Sequence, residues 1–223
     1  MTTQPRSRRL SPGDRRRQLL DVARQLVDER PLEEVTVEET ARRASVSPGL
    51  VFHYFGTGQG FRRAVADKIA DELLERIAPD PGHSHMDQLH SALDGIAEYV
   101  ERHPSVFLAV SRLARGGSFQ DLGETYAGIL GTLSEWVRSA LVDAGVPATP
   151  ALTVSVDGWL AFTEEVLFSW LTDPRMTRAE IVALCENVFF RTVQVVLGDP
   201  AEWERVAVKL ATTPEDASAR LIR

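Results

Sequence analysis

Apolar positions recur at helical spacing along almost the whole chain. Leu19, Leu20, Ala23, Leu26 and Val27 trace one stripe, Val37, Thr40, Ala41 and Ala44 a second, and Val51 and Phe55 a third, with polar residues between them. A start signal stands before each stripe. Ser11-Pro12 with Asp14 in the first turn opens the first, and Thr36 with Glu39 has the spacing of a capping box before the second. Ser47-Pro48 places a cap and a helix-compatible proline before the third. The pattern predicts three short helices around Leu26, Val37, Val51 and Phe55, the last two joined by a tight turn.

From Phe61 onward the pattern stays helical, without a convincing run of alternating β-branched residues. Turn-forming clusters interrupt it at Pro79-Asp80-Pro81-Gly82, His103-Pro104, Gly116-Gly117, Gly145-Val146-Pro147, Asp173-Pro174 and Gly198-Asp199-Pro200. Cap signals agree with these breaks: Thr149-Pro150, Asp199-Pro200 with Glu202, and Thr177 with Glu180. About six further helices and a short tail helix follow from this count. The fold class is all-α. An N-terminal three-helix helix-turn-helix domain is joined to a larger helical ligand-binding and dimerisation domain. The expected divisions are a basic, disordered arm over 1–12, a helix-turn-helix domain over 13–60, and an effector-binding and dimerisation domain over 61–223.

The formal charge of −7 looks unsuited to a nucleic-acid partner until it is divided along the chain. Residues 1–63 carry 12 Lys+Arg against 8 Asp+Glu, so the acidic excess belongs to the remainder. Arg6, Arg8, Arg9, Arg15, Arg16 and Arg17 gather before and within the first helix, where they can meet phosphates. In a helix-turn-helix unit the second helix of the pair enters the major groove, which here turns Ser47, Pro48, Leu50, His53 and Tyr54 outward. Arg42 and Arg43, at the end of the preceding helix, are candidates for one backbone contact.

These motifs carry a resemblance. Residues from about 15 to 75, through RRRQLLDVARQLV, TVEETARRA and SVSPGLVFHYF, resemble the N-terminal DNA-binding domain of the TetR family of transcriptional regulators. The resemblance implies a phosphate contact at Thr36, a base-facing surface of Ser47, Pro48, Gly49, Leu50 and His53, a phosphate contact at Tyr54, and packing roles for Val51, Phe52 and Phe55. Two positions depart from the family pattern: Ser45 stands where glycine is usual in the turn, and Gly58 where a phosphate-binding lysine is usual. Losing one phosphate contact lowers the salt slope by about 0.9 and weakens binding uniformly across sequences. Thr57 is the natural cap for the next helix, whose first amides could receive a phosphate instead.

The helices over 150–172 and 177–197 are apolar on more than one face and need a cover. A two-fold homodimer built on them is expected, which would present two reading heads to a palindromic operator on double-stranded DNA. The resemblance also places a small-molecule effector pocket in the C-terminal domain. Aromatic residues beside a few polar groups suit a largely apolar ligand, and Phe107, Tyr126, Trp136, Trp159, Phe162 and Phe168 are the candidates. Asp157, Glu164 and Glu165 interrupt the apolar helix and are expected to face solvent or pair at an interface.

The expected function is a sequence-specific transcriptional regulator, a repressor released by its effector. The alternative is a helical small-molecule sensor or partner-binding module without specific DNA binding. No GxSxG, P-loop, HExxH or glycine-rich dinucleotide motif speaks for an enzyme, and no cofactor, catalytic residue or metal site is expected. His83, His85 and His90 around Asp87 offer a loose metal spacing in a stretch that reads as an exposed turn. Cys185, the single cysteine, reads as a small core residue. No apolar run has membrane length and no secretory signal is present, so a cytoplasmic location is expected.

Overall fold

A computed structural model describes residues 10–30, 32–114 and 122–213. The chain divides into two compact units, residues 1–69 and 70–223. The expected arm, with Arg6, Arg8 and Arg9, lies outside the described residues except for its last positions, as does the expected break at Gly116-Gly117.

The first unit holds α1 (Pro12–Glu29), a 3-10 turn (Leu32–Glu34), α2 (Val37–Arg43), α3 (Pro48–Phe55) and the beginning of α4 (Gly58–Ile77). Ser11 caps α1 by accepting from the Asp14 amide at 3.1 Å, and Pro12 occupies the first turn. Leu19, Leu20, Ala23, Leu26 and Val27 are all buried, as their spacing predicts. Val37, Thr40 and Ala41 of α2, Val51 of α3 and Phe61 and Val65 of α4 are buried as well. Ala44 and Phe55 are only half-buried.

Helix α4 opens at Gly58 rather than at Phe61. Thr57 caps it, its hydroxyl accepting from the Gly60 amide at 3.0 Å and its carbonyl from the Phe61 amide at 2.9 Å, so the glycines are drawn into the first turn. The division between units falls inside this helix, after Ile69.

The second unit contains the rest of α4, then α5 (His85–Arg102), α6 (Pro104–Ala114), α7 (Gly123–Asp143), α8 (Pro150–Thr172), α9 (Arg178–Leu197) and α10 (Pro200–Leu210). Among the described residues six helices and a tail helix follow α3, and no strand occurs. The caps are those the sequence announces: Thr149 on α8, Thr177 with Glu180 as a full capping box on α9, and Asp199 on α10. Helices α8 and α9 form the centre, with α5, α7 and α10 packed around them. Trp159 is 4% exposed, its indole N–H donates to the Cys185 carbonyl at 2.9 Å, and its ring lies 4.8 Å from that of Phe189. Cys185 is buried in the same cluster, and burial pushes its thiol above the ordinary range.

Candidate nucleic-acid interface and effector region

Helices α2 and α3 owe their relative position to the short turn between them, residues 44–47. Helix α2 ends at Ala44, and Ser45 then takes φ +55, in the left-handed region. This lets the Ser45 amide donate to the Arg42 carbonyl at 3.2 Å and the Val46 amide to the Ala41 carbonyl at 2.9 Å, the paired bonds of a Schellman turn. Ser47 follows in extended conformation, its hydroxyl accepting from the Leu50 amide at 3.3 Å, and α3 begins.

The resulting geometry buries Val51 and turns Ser47, Pro48, Gly49 and His53 to solvent, while Leu50 and Tyr54 are half-buried. The His53 and Tyr54 rings contact edge to face at 5.3 Å between centroids. Phe52, which the family resemblance assigns to packing, is instead 39% exposed, one helical step of about 100° round from buried Val51. Phe55 is held at the far end, edge to face with Phe61 at 5.4 Å and with the Arg16 guanidinium 5.1 Å from its centroid. Arg16 is thereby placed against an aromatic ring in the chain itself.

Thr36 is exposed and caps α2, its hydroxyl accepting from the Glu39 amide at 3.2 Å. The reciprocal half of the expected capping box is absent among the described hydrogen bonds. Glu39 turns its carboxylate to Arg42 instead, which donates from Nε at 2.8 Å and Nη2 at 2.6 Å, while Arg30 stands 3.6 Å away. The hydrogen bond from Arg42 holds the Glu39 carboxyl below its ordinary value, and the same pair raises Arg42. Arg43 forks onto Glu29 at the end of α1.

Beyond α3, Thr57 is exposed, and Gly58 and Gly60 differ sharply. A Cβ at Gly58 would meet only the end of the Arg62 side chain at 3.9 Å, whereas one at Gly60 would lie 2.5 Å from the Phe55 carbonyl oxygen. Gly60 is fixed by close packing. Gly58 has room for a side chain.

In the second unit the six aromatic candidates separate. Phe107 and Phe162 are partly buried against the central cluster, and Trp136 and Phe168 are half-buried. The Tyr126 hydroxyl donates to the Glu164 carboxylate across the α7–α8 seam. The Trp159 ring and N–H both join α8 to α9, and the residue is buried in the core. On the same seam Ser134 donates to Asp157 at 2.7 Å, and Arg138 reaches Thr153 at 3.4 Å. Asp157 and Glu164 thus accept from neutral hydroxyls, while Glu165 accepts from Ser169 on its own helix at 3.3 Å.

An open groove of about 710 Å³ lies where α7 ends and α8 begins, lined by residues including Arg138, Val142, Thr149 and Val154. None of the six aromatic candidates lines it, and the sequence marks the place only by the Gly145-Val146-Pro147 break. The histidines of the 83–90 stretch disperse: His83 Nδ1 lies 3.0 Å from Asp80, and His90 Nδ1 lies 2.7 Å from Glu186 on α9. Among the described residues no helix is long and apolar enough to cross a membrane.

Three capped helices with an exposed third helix, followed by a larger helical unit, are the arrangement of a helix-turn-helix unit joined to an all-helical one. Residues 19–65 match the bacterial regulatory proteins of the tetR family. The HTH-type transcriptional regulator BetI of Stenotrophomonas maltophilia (strain R551-3) is 38% identical over 84 residues, covering 36% of this chain and 43% of that protein. BetI of Escherichia coli (strain K12 / DH10B) is 28% identical over 125 residues, 56% of this chain and 55% of its own. The matched segments therefore span about half the length of these curated relatives.

Solved structures extend the likeness of fold to nearly the whole chain. A tetR-family transcriptional regulator from Streptomyces coelicolor superposes with a TM-score of 0.76 at 24% identity, covering 96% of this chain and 98% of its own. FadR from Bacillus subtilis, in complex with stearoyl-CoA, gives a TM-score of 0.57 at 16% identity over 81% of this chain and 96% of that one. Residues 19–65 are thus similar to the tetR family, and nearly the whole chain shares the fold of a solved regulator of that family.

Proposed function

We propose that this protein is a transcriptional repressor that binds a palindromic operator as a homodimer and releases it when a small, largely apolar effector occupies the second unit. The observation that carries the reading is the exposure of Ser47, Pro48, Gly49 and His53 on a helix whose opposite side is anchored by buried Val51. Base edges are read by such outward side chains, and Thr36, Tyr54, Thr57 and one of Arg42 and Arg43 supply the phosphate contacts that fix register.

The homodimer reading rests on α8 and α9, where Val154 is 71% and Val195 81% exposed on helices otherwise rich in apolar residues. A second copy covers these side chains best, since a two-fold contact also supplies the second reading head. For the effector, Phe107, Tyr126, Trp136, Phe162 and Phe168 offer apolar surface, and the Tyr126–Glu164 pair offers a polar group. The stearoyl-CoA bound by FadR of Bacillus subtilis supports a ligand with a long apolar part. Effector and DNA compete to the extent that each prefers a different arrangement of the dimer, and α4, which contributes to both units, transmits the preference.

Selection of bound sites from a random duplex pool tests the reading: recovery of a palindrome supports both sequence reading and dimeric symmetry. Binding that never depends on sequence would overturn it. The second reading, a small-molecule sensor without specific DNA binding, is favoured by one observation, the glycine at position 58 in place of the family's lysine. The same selection separates the two.

A further inference from the structure

The reading unit has few cations at leisure. Arg17 pairs with Asp14, Arg24 with Asp28 at 2.5 Å, Lys68 with Asp21 at 3.1 Å, Arg42 with Glu39 and Arg43 with Glu29. At each of these five positions a duplex phosphate must displace a carboxylate to gain the cation. The pairs differ in how readily they yield.

Glu39 is only 19% exposed and serves both Arg42 and Arg30, so withdrawing Arg42 strips its closest partner from a carboxylate that water reaches poorly. Glu29 and Arg43 are 42% and 41% exposed and hold each other through two hydrogen bonds, with Glu39 a weaker electrostatic neighbour of Arg43. Their separation leaves a well-hydrated carboxylate behind. Arg43 is also the last residue of α2, immediately before the turn that carries α3.

We propose that Arg43 is the exchangeable phosphate contact of α2 and that Glu29 is its built-in competitor, a carboxylate occupying the guanidinium until a duplex phosphate replaces it. This rests on the DNA-binding reading above. A guanidinium fork accepts a phosphate in the geometry in which it holds a carboxylate, so the exchange needs no new rotamer of Arg43. The competitor lowers affinity and softens the salt dependence, because the released Glu29 recruits a cation as the duplex loses one.

The test measures binding of a mixed-sequence duplex across a salt series by wild-type protein, Glu29→Gln, Arg43→Gln and the double variant, with thermal unfolding of each as a check on folding. Glu29→Gln should tighten binding by about two- to fivefold, the scale of an exposed ion pair, and steepen the salt slope by up to about 0.9. The gain should vanish in the Arg43→Gln background. Glu29→Asp, which keeps the charge but shortens the reach, should reproduce much of the gain. A gain that persists without Arg43, or an unchanged affinity of Glu29→Gln, overturns the proposal while leaving the regulatory reading intact. Failure of the wild-type protein to bind duplex at any salt removes both together.

Discussion

Ser45 and Gly145 occupy the same place in two copies of one helix-ending turn. After α2, the Ser45 amide bonds to Arg42 and the Val46 amide to Ala41; after α7, the Gly145 amide bonds to Val142 and the Val146 amide to Leu141. Both residues have positive φ, +55 for the serine and +103 for the glycine. Only the serine carries a Cβ into the left-handed region, where it crowds the following carbonyl.

Replacing Ser45 by glycine should therefore stabilise the reading head by about 1 kcal/mol, and Ser45→Val should destabilise it by at least as much. Thermal unfolding and amide exchange of α2 and α3 report the change. Equal stability of the serine and glycine forms would show that the turn stores no strain.

Gly58→Lys should fold normally, since its Cβ enters open space beside Arg62. Duplex binding should tighten at all sequences alike, with a salt slope steeper by about 0.9 for one added phosphate contact. A salt titration on two unrelated duplexes checks this, and a gain confined to one sequence would contradict it.

Gly60→Ala should behave oppositely. The added methyl falls 2.5 Å from the Phe55 carbonyl oxygen, so the backbone between α3 and α4 must move, at a cost of about 2 kcal/mol. Reduced thermal stability with loosened Phe55 and Phe61 is the expected result; an alanine form as stable as the parent would be evidence against so close an approach.

Cys185 should resist alkylation in the native protein at neutral pH and react on unfolding, because burial keeps its thiol protonated and the thiolate is the nucleophile. The sign of the linked stability follows. Above the ordinary thiol value of 9.0 the unfolded chain ionises first, so folded-state stability should decline as pH rises past that point. Fast labelling of folded protein would contradict this burial.

Val154→Glu with Val195→Glu should abolish dimerisation without unfolding the protomer, since both side chains are solvent-exposed in the single chain but a charge buried between copies lacks a partner. Sedimentation read as mass, at least about tenfold weaker association being expected, decides it. A variant that remains dimeric would move the contact elsewhere.

The fold was largely legible because helices announce themselves locally. Every stripe residue of α1 is buried, and the caps at Ser11, Thr149, Thr177 and Asp199 all form, since a side-chain oxygen and an amide three residues away or fewer need no distant partner. What spacing left open was side-chain choice among partners. Glu39 has the position to close a capping box, but an arginine one turn onward offers a stronger, charge-assisted bond and captures it. The opening of α4 is legible only in part: Thr57 stands in the sequence as the cap, but the apolar spacing begins at Phe61, so the glycines of the first turn leave no stripe.

The outward side of α3 is legible as a surface, because burial of Val51 dictates what faces solvent from so short a helix. Phe52 was not, since family packing habits do not specify which side of α3 this chain leaves uncovered. Among the aromatic candidates nothing in the spacing distinguishes Trp159 from Trp136. Only the long-range bond to the Cys185 carbonyl, 26 residues away in sequence, assigns the former to the interior.

The contrast between Gly58 and Gly60 separates two properties within one turn of helix. A side chain at 58 enters open space while the close contact secured at 60 stays untouched. On the proposed reading, grip on a duplex and endurance of the fold can accordingly be altered one at a time.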